Sequence, residues 1–393
     1  MSLLAPPLSL YIHMPWCVKK CPYCDFNSHG LRSEPPPYAD YIDHLLADLD
    51  ADRVDFGAAL ESRPGVSRPV ISVFFGGGTP SLFAPELIER LLDGVRERLP
   101  LAADAEITLE TNPGTVEHGR FDGYLAAGVN RISFGVQSFD DDKLKRLGRI
   151  HSANEAEAAV KSAQDAGYTN INLDLMYALP QQTLDGALAD VERAVALEPT
   201  HISHYQLTLE PNTAFAANPP PLPDDDHAWA MQEACEARLA GAGYGQYEIS
   251  AYAQPGRRCV HNLNYWQFGD YLGIGAGAHG KLSDTASGQV RRRWKIRHPR
   301  AYLEASGNPS RIGGDNVVSA AELPFEYMLN ALRLIDGVPL TAFSERTGVP
   351  LERIAAGLAA ARQRGWLHDD PRRLHTTALG QRFLNDVIAS FLD

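Results

Sequence analysis

Cysteine is scarce in this chain, five in 393 residues, which excludes a disulfide framework and fits a reducing compartment. No apolar run approaches the ~20 residues needed to cross a bilayer, and no basic segment leads into an apolar stretch behind Met1. Neither a membrane span nor a secretory signal is expected, and the expected location is the cytoplasm, with peripheral contact at a membrane left open. Positive charge is also in deficit: 36 Lys and Arg stand against 49 Asp and Glu, a net charge of −13. That balance argues against broad electrostatic binding of nucleic acid or anionic lipid. Apolar content of 44% and charged content of 22% are ordinary for a globular protein, and the length suggests two or three domains.

Three of the few cysteines stand together: Cys17, Cys21 and Cys24, in Trp16-Cys17-Val18-Lys19-Lys20-Cys21-Pro22-Tyr23-Cys24-Asp25-Phe26. Three thiols cannot pair off among themselves, and three thiolates leave one iron of a four-iron cluster without a protein ligand. A zinc site recruiting His13 or His29 is a second reading, and a redox dithiol using Cys21 and Cys24 a third. Cys235 and Cys259 read as buried or free thiols.

Short β-type runs alternate with amphipathic segments through the first half. Strands are expected at Ser9–His13, Val70–Phe75, Glu106–Glu110, Arg131–Val136, Asn170–Leu175 and His201–Leu207. Helices are expected at Asp40–Val54, Pro85–Leu99, Thr115–Ala127, Asn154–Ala166 and Leu184–Leu197, each long enough for a crossover between parallel strands. Six such units predict an incomplete (β/α)6 barrel, with an open doubly wound sheet as runner-up. The cysteines, Gly76-Gly77-Gly78, Glu110, Gln137 and Asp174 all fall at or just past strand ends, the face where such architectures assemble active sites. Further along, Ala228–Ala242 reads as a helix and Tyr244–Ala253 as one extended strand. Beyond about Asn308, helical stretches at Phe325–Leu334, Leu340–Thr347, Leu351–Arg364 and Leu379–Phe391, with a hairpin in Gly365–Thr377, predict a small winged-helix-like domain. Its alanine-diluted third helix does not suit DNA, so no nucleic-acid partner is expected. The predicted domains are 1–210, 211–307 and 308–393.

The C-x3-C-x2-C spacing, together with Gly76-Gly77-Gly78-Thr79-Pro80, resembles the radical S-adenosylmethionine (SAM) superfamily. In that superfamily the open iron is chelated by SAM, and reduction cleaves the sulfonium to a 5′-deoxyadenosyl radical. Tyr11–Cys17, Gly76–Pro80, Glu110–Pro113, Gly135–Phe139 and Asn172–Tyr177 extend the resemblance to the oxygen-independent coproporphyrinogen III oxidase family, nearly end to end. The resemblance implies a [4Fe-4S] cluster on Cys17, Cys21 and Cys24, and SAM contacts from Tyr11, Gly77 and Glu110. Gly78, Thr79, Gln137, Arg149 and Asp174 would line the rest of the pocket, with Phe26 at its edge. The chemistry is compatible: carboxylates accept from hydroxyls or an ammonium, and an arginine fork can hold a carboxylate.

Two departures separate this chain from the oxidases, which carry a further cysteine where Phe26 stands and a longer segment before the tyrosine. Both match the HemW-type branch of the family, assigned to haem trafficking. His261-Asn262-Leu263-Asn264-Tyr265-Trp266 matches that branch's His-Asn-x-x-Tyr-Trp signature. The resemblance implies His261 as a haem ligand, flanked by Tyr265 and Trp266, with His279 a weaker second candidate. The basic run Arg291–Arg297 reads first as a solvated strand, and second as a site for propionates or an acidic partner. The expected function is therefore a haem chaperone delivering haem to respiratory haemoproteins, with peripheral membrane contact and a homodimer as further expectations. The alternatives are porphyrinogen decarboxylation, or a zinc or redox module without SAM.

Overall fold

The run Leu8-Ser9-Leu10-Tyr11-Ile12-His13-Met14 alternates apolar and polar side chains, and as a strand its two faces separate them. Leu8, Leu10, Ile12 and Met14 enter the main apolar core, while Ser9, Tyr11 and His13 face polar groups across the lumen. In this computed structural model residues 3–392 are described, apart from 32–34, 64, 115–119 and 306.

The strand is β1 (Leu8–Met14) of a sheet continuing with β2 (Val70–Gly77), β3 (Leu101–Thr111), β4 (Arg131–Gln137), β5 (Ile171–Tyr177) and β6 (His201–Gln206). These six run parallel in that spatial order. The joining helices include Tyr38–Phe56, Pro85–Arg98, Phe121–Ala127, Ala153–Asp165 and Leu184–Ala196. This is the incomplete β/α barrel expected from the alternation; the start of the segment expected as the helix Thr115–Ala127 lies partly outside the described residues.

The sheet grows past both ends of the barrel. Beyond β6 lie the antiparallel strands β7 (Gly245–Glu248) and β8 (Ala251–Ala253). Tyr244–Ala253 is thus a tight hairpin, not the single strand expected. The Glu248 carboxylate accepts the Ser250 N–H at the reversal, and His204 N–H donates to Ser250 O. On the other side β9 (Asp270–Ile274) pairs parallel with β1, followed by antiparallel β10 (His279–Asp284), β11 (Gln289–Lys295) and β12 (Ile312–Val317).

The basic run corrects its own reading. β11 is an interior strand, and Arg293 and Lys295 are buried against Asp48, Asp52 and Asp55, spaced along one face of Tyr38–Phe56. Arg311 joins them, 2.8 Å from Asp48 and 2.9 Å from Asp52. The solvated strand failed as an expectation because its counter-charges lie far away in sequence, where no local pattern reveals them.

After β12, the helices Leu323–Ala331, Thr341–Thr347 and Ala355–Gln363 close their own core around Tyr327, Phe343, Ile354 and Leu358. Within Gly365–Thr377 the expected hairpin is held by a Leu367–Thr376 bridge and the His368 N–H to His375 O bond. Its return arm, Arg373–Leu374, also pairs with Val338–Pro339, giving the winged-helix-like ribbon. Leu379–Phe391, expected as one helix, breaks at Phe383 into Ala378–Arg382 and Leu384–Ala389.

Candidate functional site

At the C-terminal mouth of the parallel strands a cavity of about 430 Å³ is lined by Cys17, Cys21 and Cys24 and by Gly77, Gly78 and Thr79. Phe26, Glu110, Gln137, Arg149 and Asp174 line it as well. Residues scattered over more than 150 positions meet here because parallel strands deliver every C-terminal end to one face. Tyr11 is not on the lining; it lies half-buried just beneath, close enough to Glu110 and Tyr41 for their charges to reinforce the upward push of desolvation on its hydroxyl.

The three thiols form one electrostatic group. Burial raises the Cys17 and Cys24 pKa values; Cys24 and Cys21 raise that of Cys17 further, and Cys21 that of Cys24. The Ser28 hydroxyl lies 3.6 Å from the Cys24 sulfur, and Arg149 Nη1 points to the Cys21 sulfur at 3.7 Å. Among the described residues no three His, Cys, Asp or Glu side chains converge on a single ion. Three thiolates suit a cubane, in which each takes a different iron. His13 is not a fourth ligand: its Nδ1 bonds the Tyr11 hydroxyl and its Nε2 the Asn27 carbonyl, both at 2.9 Å. His29 packs its ring against His298 and is absent from the cavity wall.

The glycine loop is shaped by close approach. Gly77 has φ +106°, and a Cβ there would lie 2.3 Å from the His13 ring; at Gly78 it would lie 2.5 Å from the Trp16 carbonyl. The loop's donors are spent internally. Gly77 N–H donates to Glu110 Oε2 at 3.2 Å, Gly78 N–H to Met14 O and Thr79 N–H to Trp16 O. What the loop backbone retains for a ligand is acceptors, which suit an N–H donor.

Glu110 and Asp174 are half-buried carboxyls on the same lumen. Burial first, and the charge of Asp174 second, raise Glu110 to about 8, against the opposing Gly77 N–H. Burial also raises Asp174, opposed by donors from Asn172, Ser203 and Ser133. Gln137 holds φ +72° at a β4 irregularity and accepts from the Tyr205 hydroxyl at 2.8 Å. The Arg149 fork is not open to a ligand as its residue type suggested. Its Nη2 donates to Asn112 Oδ1 and Gly135 O, and only the buried Nε lacks a partner.

The His-Asn-x-x-Tyr-Trp residues divide. They form the helix Val260–Trp266, whose first amides, at Val260 and His261, donate to Glu106 Oε1. His261 packs on Phe74 at 4.9 Å between ring centres, with Nδ1 3.0 Å from the Ser72 hydroxyl. Burial and nearby Arg131 lower its pKa to about 3, so the imidazole is neutral. Tyr265 and Trp266 instead pack on each other, on Tyr271 and under Arg333. The structure therefore does not gather the three rings as walls of one slot, and of this motif only Asn262 reaches the cavity. Sequence reasoning missed Ser203, Tyr205, Glu248 and Ser250 on the lining. The polar alternation of β6 signals the first two, while nothing local signals a hairpin delivering the others.

Residues 11–194 match the Radical SAM superfamily, and residues 318–383 match the HemN C-terminal domain. Heme chaperone HemW of Escherichia coli (strain K12) is 51% identical, with 98% of each chain covered. The chain belongs to the HemW heme chaperone family. Heme chaperone HemW of Haemophilus influenzae is 49% identical, again over 98% of each chain, and that of Bacillus subtilis (strain 168) is 32% identical over 98% of this chain and 99% of its own. The solved structure of coproporphyrinogen III oxidase (HemN) from Escherichia coli, a radical SAM enzyme, superposes with a TM-score of 0.81. At 23% identity, covering 99% of this chain and 90% of that one, it shows a shared fold. For a HemW-family chain with a radical SAM domain, the superfamily implies a [4Fe-4S] cluster and SAM, which the donor set at the mouth fits. Among the described residues no helix is long and apolar enough to cross a membrane.

Proposed function

We propose that this chain is a haem chaperone that binds haem and passes it to respiratory haemoproteins, keeping a cluster and SAM for regulation, dimerisation or transfer. The observation that supports it most is near-complete coverage by relatives named heme chaperones at up to 51% identity. Cys17, Cys21 and Cys24 hold the [4Fe-4S] cluster in this reading. When bound, the cluster supplies the electron for reductive cleavage of the SAM sulfonium. Tyr11, Gly77 and Glu110 hold SAM beside it: Glu110 accepts from an N–H of its amino group, and the loop carbonyls add further acceptors. Gly78, Thr79, Gln137, Arg149, Asp174 and Phe26 enclose the rest.

The shortage of free cations argues against porphyrinogen decarboxylation in the same cavity. Asp25, Glu110, Asp174, Glu210 and Glu248 line it, and its cations among the described residues are Lys19 and the committed Arg149. A tetracarboxylate would enter without a paired receptor. Phe26, 60% exposed, occupies the position of the oxidases' additional cysteine.

His261 is the proposed inner haem ligand, with Nε2 the nitrogen left free by the Ser72 bond. Tyr265 and Trp266 support the helix that carries it. A cytoplasmic location, contact with a membrane-bound acceptor and a homodimer complete the reading. Anaerobic hemin titration of the cluster-loaded wild type and of His261→Ala tests it, alongside product analysis with coproporphyrinogen III. The expected results are hemin uptake altered in affinity and spectrum by the substitution, and no decarboxylation. Turnover comparable to a dedicated oxidase, or absence of hemin uptake, refutes the chaperone reading. An unchanged His261→Ala titration removes His261 as ligand.

A further inference from the structure

Beneath the cavity, the lumen holds a line of polar side chains that the cluster and SAM do not use. Asn172 on β5, His201 on β6 and Tyr247 on β7 are all buried. Asn172 Nδ2 donates to Asp174 Oδ1 at 2.8 Å, and Asn172 Oδ1 lies 2.6 Å from His201 Nδ1. His201 Nε2 lies 2.7 Å from the Tyr247 hydroxyl, which accepts the Cys259 N–H at 3.2 Å. Cys259 caps the start of the helix Val260–Trp266. A continuous run of hydrogen bonds therefore joins a carboxyl on the cavity wall to the helix that carries His261.

The two ends of this line set its polarity. A backbone N–H only donates, and a carboxylate only accepts. Tyr247 therefore gives its own hydrogen to His201 Nε2, His201 donates from Nδ1, and Asn172 turns its amide nitrogen towards Asp174. Burial first, and the charge of Arg131 second, lower the His201 pKa and keep its ring neutral, as this order of donors requires. Every donor then points towards Asp174, the arrangement in which hydrogen bonds strengthen one another. A second support runs alongside. Glu106 Oε1 accepts the Val260 and His261 amides, and Arg131 stands between Glu106, 3.9 Å from its Nε, and the charge of Asp174.

We propose that His201 and Tyr247 are positioning residues through which a ligand on Asp174 governs hemin binding at His261. The inference rests on the haem-chaperone reading, with SAM at the mouth and His261 as the ligand. The His261 ring is off the cavity wall and packs on Phe74 at 4.9 Å and beside Tyr11 at 6.4 Å. Its helix therefore has to shift before a macrocycle reaches Nε2. With Asp174 unliganded, the line holds the amide at the head of that helix. A ligand hydroxyl donating to Asp174 takes up part of the carboxylate's charge and weakens its pull on Asn172. Each bond back to Cys259 weakens in turn, since the bonds polarise one another. The helix is then freer to move, and hemin binds more tightly.

Anaerobic hemin titration of the cluster-loaded full chain, with and without saturating SAM, tests the line. In the wild type SAM should tighten hemin binding by about fivefold or more, and hemin should tighten SAM binding by the same factor, because coupling between two sites is reciprocal. Tyr247→Phe breaks two bonds of the line with little change of shape. Without SAM its hemin affinity should rise by about fivefold, to the SAM-bound wild-type value, and its response to SAM should fall below about twofold. Misfolding gives a loss of affinity, not a gain. His201→Leu should act in the same direction. Tyr244→Phe removes a buried hydroxyl that bonds Pro199 O outside the line, and should keep the wild-type coupling. Hemin affinity independent of SAM in the wild type would overturn the line while leaving the chaperone reading intact. So would a lowered hemin affinity in Tyr247→Phe, or wild-type coupling in both Tyr247→Phe and His201→Leu. Failure of the wild type to take up hemin would overturn both.

Discussion

Arg149 Nη1 lies 3.7 Å from the Cys21 sulfur, placing a half-buried guanidinium beside one thiol of the cluster triplet. The contact sets a fixed donor against one of the sulfurs that would carry the cluster. Arg149→Leu removes it and leaves Asn112 Oδ1 and Gly135 O without their donor. A loss of ~1–3 kcal/mol in stability is expected from the unpaired acceptors. Iron and sulfide per chain after anaerobic reconstitution should fall below half of wild type. Full cluster occupancy in this variant would show that the guanidinium is only a packing element.

Gly77→Ala tests the close packing of the glycine loop. The added methyl would meet the His13 ring at 2.3 Å on backbone with φ +106°, so the loop must move away from β1. A destabilisation of roughly 1–3 kcal/mol is expected from the positive φ and the clash. SAM affinity, read by equilibrium dialysis on cluster-loaded protein, should drop at least tenfold. Retained affinity would mean that the loop does not contact the ligand.

Glu110 should make both stability and SAM binding depend on pH, in opposite directions. Its folded pKa of about 8 lies above the unfolded value near 4.5, so the folded chain holds a proton that the unfolded chain has released. Its contribution is fully present below about pH 4.5 and is lost as pH rises towards 8. Glu110→Gln should remove that decline in denaturation midpoints measured from pH 5 to 8. A ligand amine that donates N–H favours the carboxylate, so SAM affinity should rise by up to about tenfold per pH unit and level off above pH 8. A pH-independent wild-type affinity would place the amino group elsewhere.

Asp52 anchors two cations of the basic run, Arg293 at 3.0 Å and Lys295 at 2.8 Å, together with Arg311 at 2.9 Å. Removing one member of a buried ionic cluster leaves uncompensated charge, at ~3–5 kcal/mol. Asp52→Ala should show a loss of that size in urea unfolding. Arg300→Ala, whose pair with Glu304 is exposed, should change stability by under about 1 kcal/mol. Equal effects from both would remove the argument that the basic run is structural.

The glycine at position 77 shows how a motif is legible while its working is not. Gly76–Pro80 announces a close approach, because repeated glycine has few other uses between a strand and a helix. That its amides are committed to Glu110, Met14 and Trp16 depends on strands separated by tens of residues. The same division holds for Arg149, whose residue type suggested an open fork and whose contacts show a buried one. His279 was legible only as a lone histidine in a glycine-rich turn; the Trp294 indole beside it comes from the next strand.

Local alternation of apolar and polar residues determined the six β/α units, because strand and helix periods are properties of consecutive residues. The spacing of Cys17, Cys21 and Cys24 likewise determined three clustered thiols before any folding. Tertiary structure alone decided that Tyr244–Ala253 turns back, that Arg293 and Lys295 feed a buried carboxylate cluster, and that His261 packs on Phe74 while Tyr265 and Trp266 pack elsewhere. Those outcomes depend on partners brought together by the register of the sheet, and burial and pairing energies act through space without regard to sequence distance.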